Sequence, residues 1–388
     1  MPFTRLSNFI NGKYVDASEV GHLNIVDPCT EVAYLSASEA GPEQIDAAMR
    51  AAEAAFDQWR FTMPAQRQRA LLRIADALEA REDEFVAADT RNTGNAAAAE
   101  FPVLIDQIRF FAGAARIVEG RAAGEYSAGH TSYIRREPVG VCAQLAPWNY
   151  PLMMAVLKSA PALAAGNTVV LKPAETTPTT ALMYAELAAE FLPDGVLNVI
   201  CGGRDTGRRM VEHPIPNLVS LTGSVATGVD VAQVAAADLK RAHLELGGKT
   251  PVIVCPDADL AVTASTIVTA GFGNAGQDCT AAARVLAADE IYDEFVTLLV
   301  AEAKVRHPGP PSDPAATYGP LNNARQLERV SGFIRRLPAH VRVLSGGQQL
   351  GNVGFFFAPT VVADVRQDDE VTHQEVFGPV ITVQRFRT

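Results

Sequence analysis

From residue 139 onward the sequence switches repeatedly between two patterns, and that alternation constrains the fold more than any other feature. "VGVCAQLA" (139–146) reads as a strand, and "PLMMAVLKSAPALAAG" (151–166) has helical spacing and ends at Gly166. "TVVLKP" (168–173) is a buried-strand run. "TPTTALMYAELAAEFLPDG" (177–195) is a helix with Pro near its start and Gly after its end. The strands "VLNVICG" (196–202) and "NLVSLTG" (217–223) then alternate with the helices "RDTGRRMVEH" (204–213) and "VATGVDVAQVAAAD" (225–238). Strands separated by helices at this spacing are joined by right-handed crossovers and pair in parallel. The pattern restarts at "TPVIVC" (250–255), followed by a helix over 258–272 and the strand "ARVLAA" (283–288). Helices near 291–305 and 322–336 and strands near 341–345, 359–365 and 379–386 complete it. Two α/β units therefore meet near residue 249.

The first third is expected to be mostly helical. Apolar residues at Ile45, Met49, Ala52, Phe56 and Trp59 recur at helical period. A second helix is expected from Gln66 to Asp89 and a third over 101–119. "EYSAGHTSYIRREPVG" (125–140) alternates around Gly129 and reads as a hairpin.

Composition excludes several function classes. Of 388 residues, 48% are hydrophobic and 20% charged, as expected for a soluble globular protein with a large core. No apolar run is long enough for a membrane span. The N-terminus has neither a long apolar stretch nor a small-residue cleavage site, so no signal peptide is expected. Net charge is −11 without a Lys/Arg block, which makes nucleic acid an unsuitable partner. Five scattered cysteines, odd in number and without a CxxC, suit a reducing cytoplasm. Seven dispersed histidines offer no zinc spacing, so no metal is expected.

Four clusters carry chemical meaning. In "APWNYP" (146–151), Asn149 stands at the carboxyl edge of a strand, where α/β ligands bind. Its amide can donate to an oxyanion, or it can simply cap the next helix. In "LKPAE" (171–175), Lys172 and Glu175 occupy a second carboxyl edge. A carboxylate there accepts from ribose hydroxyls and repels a 2′-phosphate; the plain alternative is a solvated ion pair. "LTGSVATG" (221–228) runs from strand through glycine into helix, where the amides of Ser224 to Thr227 can face a phosphate. It is neither a P-loop nor the G-x-G-x-x-G of ordinary dinucleotide folds.

The fourth cluster pairs "LELGGK" (244–249) with "GQDC" (276–279). Glu245 precedes two glycines that allow a tight turn and leave room around its carboxylate. A Glu near a Cys can act as the base that activates a thiol or water. Taken singly, Cys279 reads as an inert buried thiol, because free cysteine is among the most buried residue types.

Together, "PWNYP", "LKPAE", "LTGS.ATG", "LELGGK", "NAGQDC" and "EVFGPV" (375–380) resemble the aldehyde dehydrogenase superfamily in order and spacing. The match runs from "NFINGKYVD" (8–16) to the last residues. "FFAGAAR", "GHTSYIRR", "PWNYPLMMA" and "NAGQDCTAA" resemble the γ-aminobutyraldehyde dehydrogenase branch. The resemblance implies an open parallel-sheet NAD-binding domain (1–124 and 138–248), a β-hairpin oligomerisation element (125–137) and a second α/β catalytic domain (249–388). It implies Cys279 as nucleophile, Glu245 as general base, and Asn149 with the Cys279 amide as oxyanion hole. Lys158 resembles a proton-relay lysine. Lys172 and Glu175 would hold the adenosine ribose, and Gly223, Ser224, Val225, Ala226 and Thr227 would lie by the pyrophosphate. Ala146, Pro147, Trp148, Leu246, Glu375 and Phe377 would complete the NAD site. The expected substrate is a small aldehyde and the expected assembly a homo-oligomer.

The chain stops at "VITVQRFRT", soon after "EVFGPV", whereas family members continue. It is therefore expected to be truncated at the C-terminus, as a fragment or a shortened gene product. The acidic partner of Lys158 and the strand that pairs with the hairpin in the oligomer are expected beyond that point. The leading expectation is NAD-dependent oxidation of an aminoaldehyde such as 4-aminobutanal. A CoA-acylating enzyme would not need Glu245. An inactive NAD-binding or assembly protein is the alternative that truncation favours. Asp278, beside Cys279, opposes thiolate formation by its charge. It is expected either to attract the ammonium end of an aminoaldehyde, with Asp106 adding to the same field, or to cap or hydrogen-bond the turn at Gly276.

Overall fold

The computed structural model describes residues 5–16, 20–120 and 123–387. Five strands open the chain: β1 Arg5–Leu6, β2 Phe9–Ile10, β3 Lys13–Tyr14, β4 His22–Val26 and β5 Ala33–Ser38. Helices α1 Pro42–Trp59, α2 Pro64–Glu79, α3 Glu82–Thr93 and α4 Phe101–Ala114 follow. Next come β6 Gly124–Ser127, β7 His130–Ser132, β8 Val141–Leu145, α5 Pro151–Ala164, β9 Thr168–Lys172, α6 Thr179–Ala189 and β10 Leu197–Val199. Then α7 Arg204–Glu212, β11 Leu218–Gly223, α8 Val225–Ala236 and β12 Arg241–Leu246. The remainder is β13 Pro251–Val254, α9 Leu260–Phe272, β14 Arg284–Ala288, α10 Tyr292–Lys304, α11 Ala324–Arg335, β15 Arg342–Ser345, β16 Thr360–Ala363, α12 Glu370–His373 and β17 Val380–Phe386.

The chain divides into two compact units. The first comprises residues 1–25, 35–89 and 97–245, and the second 26–34, 90–96 and 246–388. A seven-stranded sheet, order β12-β11-β8-β9-β10-β2-β3, organises the first unit. Strands β11, β8, β9 and β10 pair in parallel, and β2 and β3 add antiparallel edges. The chain moves outward from β8 through β9 to β10, then returns past β8 to β11. Right-handed crossovers therefore send α5 and α6 to one face and α7 to the other. Contacts agree: α1 packs with α7, and α5 with α6. Strands β8 and β9 are buried along their whole length because both faces are covered.

The second unit contains a five-stranded sheet, order β13-β14-β17-β16-β15, parallel except for β15. Its core includes Phe272, Phe295, Leu299, Phe333, Val361 and Val383.

Several expectations change. The first third was expected to be mostly helical, and five short strands precede its helices among the described residues. The expected 66–89 helix is two helices broken at Ala80–Arg81, where Arg81 pairs with Glu84 at 2.8 Å. The third helix ends at Ala114 rather than at 119. The hairpin is confined to β6 and β7, which pair antiparallel, and 133–140 is not strand. Among the described residues, no helix is long and apolar enough to cross a membrane.

Candidate active site

In the first unit the order reverses between β8 and β11, a topological switch point where α/β folds bind ligands beyond the strands' carboxyl ends. The loop after β8 is 146–150, which contains Ala146, Pro147, Trp148 and Asn149. Asn149 is buried, and it does not cap α5, whose N-cap is Tyr150.

Beyond β11, Ser224 caps α8 and accepts from the Thr227 amide at 3.2 Å. Residues 224–227 are exposed, and the first turn of α8 contains no acidic side chain. The positive end of this helix is thus open to an anion.

Beyond β9, Lys172 is buried rather than solvated. Its Nζ donates to the carbonyls of Gly202 at 2.8 Å and Pro173 at 2.9 Å. Burial holds its ammonium below the ordinary lysine range, opposed by the charge of Glu175. Glu175 is half-buried three residues later.

Lys158 lies buried on α5, and burial pushes it down to about 7 against the opposing charge of Glu245. Its Nζ donates to Ser220 Oγ at 2.9 Å. Ser220 Oγ lies 3.1 Å from His243 Nδ1, and His243 Nε2 lies 3.5 Å from Glu245 Oε1. No motif marked Ser220 or His243. The available signal was period-two spacing, which places His243 and Glu245 on one face of β12.

Asp89 was also missed. It is buried, with its carboxyl pushed up to about 6 by desolvation. It accepts from Thr180 Oγ1 at 2.7 Å and from the backbone of Leu152. One carboxyl thus serves the first turns of α5 and α6, the helices that follow the Asn149 and Lys172 loops. Asp106 lies exposed on α4.

In the second unit, α9 runs into a 3-10 turn over Gly273–Gly276. Asn274, Ala275 and Gly276 are all left-handed, at φ 49°, 57° and 69°. Asn and Gly tolerate that conformation, and Ala275 is held there against its steric preference. The buried Gln277 fixes the turn. Its Nε2 donates to the Asn274 carbonyl at 3.1 Å, and its Oε1 accepts from the Asn322 amide at 2.9 Å. A side chain at Gly276 would collide with the Gly378 carbonyl, so "NAGQDC" and "EVFGPV" pack together.

Cys279, which follows this clamp, is exposed. The single-residue expectation of a buried thiol is overturned, because the turn carries the chain back to the surface. By contrast, burial pushes Cys29, Cys142 and Cys201 up to about 12, which leaves them protonated and inert. Asp278 is bonded to Thr280.

Glu375 shares the second unit. Gly248 N donates to its Oε1 at 3.3 Å, and a Cβ at Gly247 would overlap its carboxylate. The paired glycines therefore make room for Glu375, a carboxylate the sequence reading did not connect with them. Burial raises Glu375, opposed by that amide and by Arg329 and Lys249. Phe377 adopts φ 58°, and its carbonyl accepts from Gln326 Nε2 at 2.6 Å. Leu246 is half-buried at the end of β12.

A profile of the Aldehyde dehydrogenase family matches residues 14–388. The mitochondrial aldehyde dehydrogenase of Leishmania tarentolae is 39% identical over 386 residues, which are 97% of this chain and 77% of that protein. The betaine aldehyde dehydrogenase of Mesorhizobium japonicum is 38% identical over 98% of this chain and 80% of its own length. The NAD+ complex of a Bacillus cereus aldehyde dehydrogenase superposes with a TM-score of 0.96 at 34% identity, covering 99% of this chain and 80% of that one. Lactaldehyde dehydrogenase from Escherichia coli gives 0.97 at 33% identity, covering 100% and 82%. The chain belongs to the aldehyde dehydrogenase family and is an oxidoreductase acting on aldehydes.

Proposed function

We propose that this chain oxidises an aminoaldehyde such as 4-aminobutanal to its carboxylic acid, with NAD as cofactor and Cys279 as nucleophile. The carrying observation is the exposed Cys279 thiol behind a buried, strained clamp. An inactive binding or assembly protein is not favoured, because Cys279, Glu245 and Asn149 are all present on a family fold.

The residues fit NAD. The exposed first turn of α8, free of acidic side chains, suits a pyrophosphate, and Gly223 to Thr227 would hold it. Lys172 and Glu175 would hold the adenosine ribose, and Ala146, Pro147 and Trp148 line the same switch point. In the second unit, Leu246, Glu375 and Phe377 would serve the nicotinamide end. NAD, when bound, supplies the acceptor for the hydride that the aldehyde carbon loses.

The protein's own part is nucleophilic and electrostatic. The Cys279 thiolate forms a C–S bond to the aldehyde carbon, and the carbonyl electrons move to oxygen. The Asn149 amide and the Cys279 backbone N–H donate to that oxyanion. Loss of hydride leaves a thioester on Cys279. Glu245 takes a proton from water, the water oxygen bonds to the acyl carbon, and the C–S bond breaks to restore the thiolate.

The aminoaldehyde assignment is supported by Asp278 beside the nucleophile and by Asp106. One relative is named for betaine aldehyde, which also carries a cationic end. Five scattered cysteines, odd in number, suit a cytoplasmic enzyme, and Tyr126, exposed on the hairpin, suits a homo-oligomer. Initial rates with 4-aminobutanal and butanal at saturating NAD test the substrate class. The amine should have the higher kcat/KM; equal or better use of butanal would remove the aminoaldehyde reading.

A further inference from the structure

The chain of contacts from Lys158 to Glu245 has a direction. Lys158 Nζ donates to Ser220 Oγ, which is buried between α5 and β12. Ser220 has one hydroxyl hydrogen, and with its oxygen already accepting, that hydrogen points to His243 Nδ1 at 3.1 Å. Nδ1 is then the ring's acceptor, so the ring hydrogen sits on Nε2. The far end agrees independently. Nε2 faces Glu245 Oε1 at 3.5 Å, and an ionised carboxylate only accepts. Both ends therefore select one tautomer. The side chains of His243 and Glu245 are 59% and 66% exposed, so a small rotation brings Nε2–H and the carboxylate into hydrogen-bond range.

We propose that His243 is a positioning residue for Glu245: its Nε2–H, directed by Ser220 and Lys158, orients the carboxylate to take the proton of the hydrolytic water. This rests on Glu245 being the base. The neighbouring groups that bear on it are few. Glu245 and Arg241 share β12 with His243, β11 contributes the uncharged Ser220, and α5 contributes Lys158. The ammonium of Lys158 sits near neutrality, so it is an adjustable anchor for the chain and not a fixed counter-charge to Glu245. Proton balance is simple. Water's proton moves to Glu245, the C–S bond breaks, and His243 donates throughout without being consumed.

The test separates acylation from hydrolysis. With 4-aminobutanal and NAD, NADH appears first as a burst equal to the number of active sites, then at the rate of hydrolysis. In His243→Ala the burst should persist while the later rate falls about tenfold, the scale of one lost charge-assisted hydrogen bond at the reacting carboxylate. His243→Gln, whose amide can donate but not titrate, should recover much of the rate. Nitrogen-15 NMR of the resting enzyme should show His243 with the proton on Nε2, and Ser220→Ala should disturb that preference. An unchanged hydrolysis rate in His243→Ala would overturn the proposal, as would a fall confined to the burst. Glu245→Gln distinguishes the two levels: normal hydrolysis there removes the base assignment itself, whereas slow hydrolysis there beside a normal His243→Ala removes only the role of His243.

Discussion

The carboxylate of Asp278 accepts two hydrogen bonds from Thr280, one from the backbone amide and one from the hydroxyl, both at 2.7 Å. The acceptor in both is the same oxygen, so the side chain closes a local turn across Cys279. The partner is Thr280, on the other side of Cys279 from the turn at Gly276. Asn keeps an acceptor oxygen and removes the charge. Asp278→Asn should therefore preserve the turn and raise KM for 4-aminobutanal much more than for butanal, with kcat little changed. Equal effects on the two aldehydes would leave Asp278 as a turn residue only.

Glu175 follows the buried Lys172 by three residues at the carboxyl end of β9. Its charge would meet a 2′-phosphate, so the unmodified chain should prefer NAD to NADP. Glu175→Gln should narrow that preference, measured as the ratio of kcat/KM values. Equal use of both cofactors before mutation would contradict it.

Asp89 predicts a pH-dependent stability. Its folded carboxyl is pushed up by burial to about 6, above the ordinary aspartate value of 3.8. Between these values the unfolded chain ionises first, so this group's contribution to stability falls as pH rises from about 4 to about 6 and is flat above. Asp89→Asn should therefore gain on the parent across that window, by a few kcal/mol at most, and hold the gain at higher pH. Urea unfolding at pH 4, 5, 6 and 8 measures it; a difference independent of pH would show that the carboxyl is ionised throughout.

Tyr126 and Tyr133 are 86% and 73% exposed in and beside the β6–β7 hairpin, and Ile134 is exposed next to them. An exposed two-stranded edge with apolar side chains is a surface for strand pairing or association. Tyr126→Glu with Ile134→Lys should lower the mass measured by light scattering. An unchanged mass would show that the hairpin is not an assembly surface.

Much of the fold from residue 139 onward was legible because its signals are local. Apolar runs of strand length, helical spacing and Gly or Pro punctuation all lie within each segment. The opening strands were not. β2 is two residues long, and its partner Val199 on β10 lies far along the chain, so pairing rather than propensity makes it a strand. Residues 26–34 and 90–96 join the second unit through contacts no local pattern encodes. Phe355 N donates to the Pro28 carbonyl, and Asn322 Nδ2 to that of Asn92. The site shows the same division. Cys279, Glu245 and Asn149 stand in recognisable motifs. Ser220, His243 and Gln277 acquire their roles from side chains brought together by the fold, and the glycines beside Glu245 proved to accommodate Glu375.

The central claim is that aldehyde oxidation passes through an acyl group on Cys279. Glu245→Gln should let that thioester accumulate. The enzyme is mixed with NAD and 4-aminobutanal, quenched in acid, digested and examined by mass spectrometry. The peptide containing Cys279 should carry the 4-aminobutanoyl mass, together with one NADH per active site, and neither should appear in Cys279→Ala. NADH formed at an undiminished rate by Cys279→Ala, with no acyl group on that peptide in Glu245→Gln, would contradict it.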